Sequence, residues 1–123
     1  MEKKQGTTSE ILGKRFYFYE KMIEKYGKKD QMLIAVEECS ELQKAILKYL
    51  RGRCNTIEIS EEMADVEIML EQLYMMLDNQ DEVKFFKEKK IERTSKLLFT
   101  IDKRTSSAIT LEAPAEKLLE TNS

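Results

Sequence analysis

Residues 31–50 read QMLIAVEECSELQKAILKYL, a stretch with no glycine and no proline in which apolar residues return every third or fourth position. At about 100° per residue, Ile34, Ala35, Leu42, Ala45, Ile46 and Tyr49 all fall within roughly 80° of Glu38, which makes one apolar helical face with an acid in its middle. Glu41 lies on the edge of that face, because residues three apart on a helix are neighbours. The stretch from Thr56 to Asp78 repeats the arrangement. With Glu62 as centre, Ile59, Val66, Met69, Leu70, Leu73, Met76 and Leu77 share its face and Asp65 sits at the rim. Glu37-Glu38-Cys39-Ser40-Glu41-Leu42 and Glu61-Glu62-Met63-Ala64-Asp65-Val66 therefore align residue for residue.

Further helices flank these two. Leu12, Phe16, Tyr19, Ile23 and Tyr26 have helical spacing, so a first helix is expected from near Ser9, capped by Thr8 or Ser9, to Tyr26, where Gly27 stops it. Lys28-Lys29 would link it to a second helix capped by Asp30 and ended by Arg51-Gly52-Arg53. Asn55 and Glu58 have capping-box spacing ahead of the third helix. Asn79-Gln80-Asp81 would form the next turn, and a fourth helix is expected from Glu82 to about Phe99. The reading is all-α: an antiparallel four-helix bundle over residues 1–99, with residues 100–123 as a C-terminal tail. That tail is rich in Thr, Ser and Ala, and its Ala115–Glu120 stretch could form a short extra helix on a neighbouring subunit.

Composition agrees and narrows the chemistry. The 123 residues are 41% hydrophobic and 36% charged, with one proline and four glycines, which suits long helices in one domain. There is no histidine, so Ser-His-Asp or Cys-His catalysis and His-bearing metal sites are excluded, and oxygen ligands favour Mg²⁺, with Mn²⁺ as a substitute. A formal charge of −2 with interleaved signs argues against polymeric nucleic acid as a partner. The absence of a long apolar run argues against a membrane span, and with no signal-peptide core the expected location is cytoplasmic. Cys39 and Cys54 are then expected as free thiols.

Carboxylates in an apolar setting are costly unless paired, and four together also repel one another. Glu38, Glu41, Glu62 and Asp65 are therefore the candidate ligands of a divalent metal site, with Glu37 and Glu61 on the solvated side. On the fourth helix, Lys90 and Arg93 share a face with Val83, Phe86 and Leu97, where they could neutralise a polyphosphate or pair with the acids. Phe16 and Tyr19 are candidate rings for a nucleobase slot, although rings at helical spacing also serve as core.

Glu37-Glu38-Cys39-Ser40-Glu41 and Glu62-Met63-Ala64-Asp65 resemble the EExxE and ExxD motifs of the MazG-like, all-α nucleoside triphosphate pyrophosphohydrolase superfamily, over roughly residues 10–98. The resemblance implies that Glu38, Glu41, Glu62 and Asp65 bind one to three Mg²⁺ ions. It implies cleavage of a nucleoside triphosphate between the α- and β-phosphates, giving the monophosphate and pyrophosphate, as in control of a nucleotide pool. Phosphate contacts from Lys90 and Arg93 and assembly as a homodimer or homotetramer are further implications. A non-enzymatic helical oligomerisation or regulatory module is the competing expectation. Di-iron or di-manganese chemistry fits poorly, since its Glu-x-x-His motifs need histidine.

Overall fold

A computed structural model of the protein describes residues 6–105; the proposed helix at 115–120 and most of the 100–123 tail lie outside the described residues. The described chain is all-α, with no strand, and its four consecutive helices are compatible with a four-helix bundle: α1 (Thr8–Tyr26), α2 (Lys28–Leu50), α3 (Thr56–Leu77) and α4 (Gln80–Thr105). No described helix is long and apolar enough to cross a membrane. The chain divides into two units, α1 to α3 ending at Asn79 and α4 beginning at Gln80.

The helix boundaries follow from local hydrogen-bond chemistry. α1 begins one residue earlier than expected and Thr7 caps it. The Thr7 hydroxyl accepts from the Glu10 N–H at 3.3 Å, and the Glu10 carboxylate accepts from the Thr7 N–H at 3.0 Å. Thr7 prevails over Thr8 and Ser9 because only Thr7 has a glutamate three residues on to complete the reciprocal pair. The expected Lys28-Lys29 link does not form. Both lysines belong to α2, Asp30 lies in its first turn, and Gly27 alone separates α1 from α2.

Gly27 can do this because its φ of 88° and ψ of 154° lie in a region open essentially to glycine. Its N–H bonds the Ile23 carbonyl while its carbonyl receives the Gln31 N–H. A Cβ at Gly27 would meet nothing within 4 Å, so Gly27→Ala isolates backbone strain from crowding. The expected loss is about 1–3 kcal/mol of stability in urea unfolding, and an unchanged midpoint would contradict this account of the turn.

Between α2 and α3, Asn55 caps α3 by accepting from the Ile57 N–H at 3.0 Å, without the reciprocal Glu58 bond that the spacing suggested. The Cys54 thiol donates to the Ala45 carbonyl at 3.5 Å and ties this short link back onto α2. Both cysteines are free thiols, Cys39 exposed and Cys54 half-buried. α3 ends on Asp78 in the left-handed conformation, and α4 starts directly at Gln80 and runs six residues past the expected stop at Phe99.

α2 and α3 pair as an antiparallel hairpin with α1 beside it. The buried residues of the seam are Gln31, Ala35 and Ala45 from α2 and Met69, Gln72 and Met76 from α3. Tyr19 of α1 is buried against them. Gln31 and Gln72 were not singled out by the apolar pattern. They nonetheless lie seven residues, two turns, from Glu38 and Asp65, so the same projection that places the acids places them on the inner faces.

Candidate metal centre

Pairing α2 with α3 brings three of the four expected acids together. Glu38, Glu62 and Asp65 each offer a carboxylate oxygen, and these oxygens lie within 4.8 Å of one another. Glu38 and Glu62 are half-buried and Asp65 is exposed, which matches central positions for the two glutamates and a rim position for the aspartate. Glu62 and Asp65 share a side of α3 because they are three apart, and Glu38 reaches them from across the seam.

The electrostatics are those of unneutralised crowding. Burial pushes the Glu38 carboxyl above the ordinary carboxylate value, and the charges of Asp65 and Glu62, then Glu37 and Glu41, push in the same direction. No cationic side chain among the described ion pairs reaches these three acids. The donor set is thus three carboxylate oxygens, two of them from half-buried side chains, the hard-ligand chemistry that suits Mg²⁺ or Mn²⁺ and leaves coordination positions free.

Glu41 is placed differently. Its carboxylate is exposed and pairs with the Lys44 ammonium at 3.0 Å one turn along the same helix. Such a surface pair contributes well under about 1 kcal/mol, so exchanging Lys44 for another cation costs little. Glu37 and Glu61 are exposed, as expected for the solvated side. Lys90 and Arg93 lie three residues apart on α4, both exposed, while their neighbours Lys89 and Lys96 flank Glu92.

The two candidate rings separate. Tyr19 is 3% exposed and its hydroxyl donates to the Glu71 carboxylate, which also pairs with Arg15 at 3.2 Å. Phe16 is exposed and packs edge-on against Tyr19, with ring centroids 6.2 Å apart. The geometry therefore makes Tyr19 an anchor of α1 on α3. Arg15 and Glu71 were not anticipated, because a tie between residues more than fifty positions apart leaves no local signature.

A more apolar recess lies along the other flank of the hairpin: a groove of about 560 Å³ lined by Met32, Ala35, Val36, Cys39, Leu73 and Leu77. Cys39 follows Glu38 in sequence, but none of the three clustered acids lines the groove. Comparison with protein-family models, characterised proteins and solved structures returns no match. The functional reading therefore rests on the residues and their geometry.

Proposed function

We propose that the protein is a Mg²⁺-dependent nucleoside triphosphate pyrophosphohydrolase, cleaving between the α- and β-phosphates to release pyrophosphate. The observation that carries this reading is the convergence of Glu38, Glu62 and Asp65, which none of the described ion pairs reaches. The likeness of the two acidic segments to the MazG-like motifs supplies the reaction class.

On this reading Glu38, Glu62 and Asp65 hold the ion, and Glu41 joins them by releasing Lys44. A divalent ion held there would supply polarisation of the phosphate oxygens and acidification of an attacking water. The chain's own residues do the rest. One of the inward acids, or the exposed Glu37 or Glu61, accepts the proton from that water. The likeness to the MazG-like motifs is what assigns Lys90 and Arg93 of α4 to phosphate charge, Arg93 through a bidentate fork. The groove between α2 and α3 offers the base and sugar an apolar lining, to which Cys39 and Ser40 add weak polar groups.

The competing reading, a helical oligomerisation module, draws on exposed apolar residues on the hairpin: Val36 is 65% exposed, Ile57 64% and Leu50 60%. Self-association as a homodimer or homotetramer would cover such residues and is compatible with the enzymatic reading. Product analysis separates the two. Incubation with each ribo- and deoxynucleoside triphosphate and Mg²⁺ is expected to yield monophosphate and pyrophosphate in equal amounts, lost on chelation with EDTA. Release of orthophosphate, or no turnover across the panel, would overturn the assignment.

A further inference from the structure

The seam between α2 and α3 contains two buried side-chain amides with unmet hydrogen-bonding capacity. Gln31 is 1% exposed and Gln72 is 2% exposed, the two lowest values among the buried residues. The Gln31 Nε2 and the Gln72 Oε1 have no hydrogen-bond partner among the described residues, so one amide is left with a spare donor and the other with a spare acceptor. Burying an unmatched amide is costly, and a matched pair of the same groups is not.

Their placement relates them to the acidic cluster. Gln31 lies seven residues before Glu38, and Gln72 seven residues after Asp65. The helices run antiparallel, so both amides are displaced in the same direction, about 10 Å along the hairpin at 1.5 Å per residue. The other buried members of the seam are Ala35, Ala45, Met69 and Met76. Small alanines and pliant methionines pack acceptably in more than one register. At the opposite end, the Cys54 thiol bond to the Ala45 carbonyl secures the link. The carboxylates lie between these two ends and repel one another.

We propose that Gln31 and Gln72 are positioning residues bridged across the seam by one enclosed water, which hold the register in which Glu38 faces Glu62 and Asp65. A buried polar contact that selects one register among several apolar alternatives is the best-attested use of such groups. The consequence for metal binding rests on the reading of the acidic cluster given above. The register itself does not.

The experiment compares the full chain with Gln31→Leu, Gln72→Leu and the double variant, leucine being close to glutamine in volume. Three readouts are taken: the urea midpoint, Mn²⁺ affinity by electron paramagnetic resonance, and a spin-label distance. For the distance, labels are carried at Lys29→Cys and Ser60→Cys in a Cys39→Ser, Cys54→Ser background. Both label sites are exposed, and they lie about 20 Å apart along the hairpin at 1.5 Å per residue.

Each single variant is expected to lower the midpoint by stranding its partner, and the double variant to recover about half of the summed loss or more. The single distance peak of the parent should broaden or move in the double variant, and its Mn²⁺ dissociation constant should rise about tenfold, the scale of losing an outer positioning contact. Midpoint losses that simply add in the double variant would overturn the pairing. A double variant with the parent's distance peak and Mn²⁺ affinity would overturn the positioning role. If the wild-type chain binds no Mn²⁺, the metal reading fails, while the midpoints and distances still decide the register proposal.

Discussion

Glu38→Gln is expected to make the metal-free protein more stable at neutral pH while removing its response to Mg²⁺ and nearly all turnover. The first effect follows from the sign of the Glu38 shift. Burial and the charges of Asp65 and Glu62 raise its folded-state value above the ordinary 4.5. Between the unfolded and folded values the native state therefore holds more protons, so stability falls as pH rises through that window. Below 4.5 there is no penalty; at neutral pH the penalty is complete. Glutamine keeps the shape and removes the charge, so the metal-free variant should melt higher than wild type at pH 7, with a flatter pH profile above 4.5. Melting curves in EDTA across pH 4 to 8 check this.

With Mg²⁺ the order reverses. An ion at a hundred times its dissociation constant adds about 2.7 kcal/mol to a protein that binds it only when folded. Wild type should gain on that scale and Glu38→Gln little. Turnover should fall about 100-fold or more, because the ion that would offset transition-state charge loses a ligand. Equal melting temperatures for wild type and variant, with and without Mg²⁺, would sink the metal-centre assignment.

The second large effect is at Tyr19. Truncation of a buried aromatic to alanine typically costs about 3–5 kcal/mol, and Tyr19→Ala also deprives Glu71 of its hydroxyl donor. Tyr19 is the buried side chain of α1, and most of a protein helix's stability comes from tertiary packing of its buried face. Tyr19→Ala should therefore release α1 first, seen as fast amide exchange over residues 8–26 while α2 and α3 stay protected. Tyr19→Phe, which loses only the hydrogen bond to a carboxylate, should cost about 1.5–3 kcal/mol.

The ionisation of Tyr19 gives an independent check. Burial, and then the hydrogen bond to Glu71, push its phenol from 10.0 up to about 12. The stability it contributes is complete below pH 10 and is lost as pH rises from 10 to about 12, and Tyr19→Phe removes that loss. If Tyr19→Ala cost under about 1 kcal/mol, the anchoring role would be wrong.

How much of this was legible beforehand depends on the range of the interaction. The four helices, the stop at Gly27, the Asn55 cap and the inward bearing of Glu38 and Glu62 all come from contacts within a few residues, and helical periodicity displays them directly. Local competition explains the errors. Thr7 displaced Thr8 and Ser9 as the cap of α1 through its bond to Glu10, and a single glycine in a glycine-only conformation replaced the expected link before α2.

The four acids that opened the sequence reading show the division most clearly. The residues alone establish that each helix carries an acidic pair three apart on or beside its apolar face. They do not establish how far one helix slides or turns against the other. That relation brings Glu38 to Glu62 and Asp65 and buries Gln31 and Gln72 with spare hydrogen-bonding groups, and the docking of α1 joins Tyr19 to Glu71. Register and rotation are set by the packing of many side chains at once, and no window of a single helix contains them.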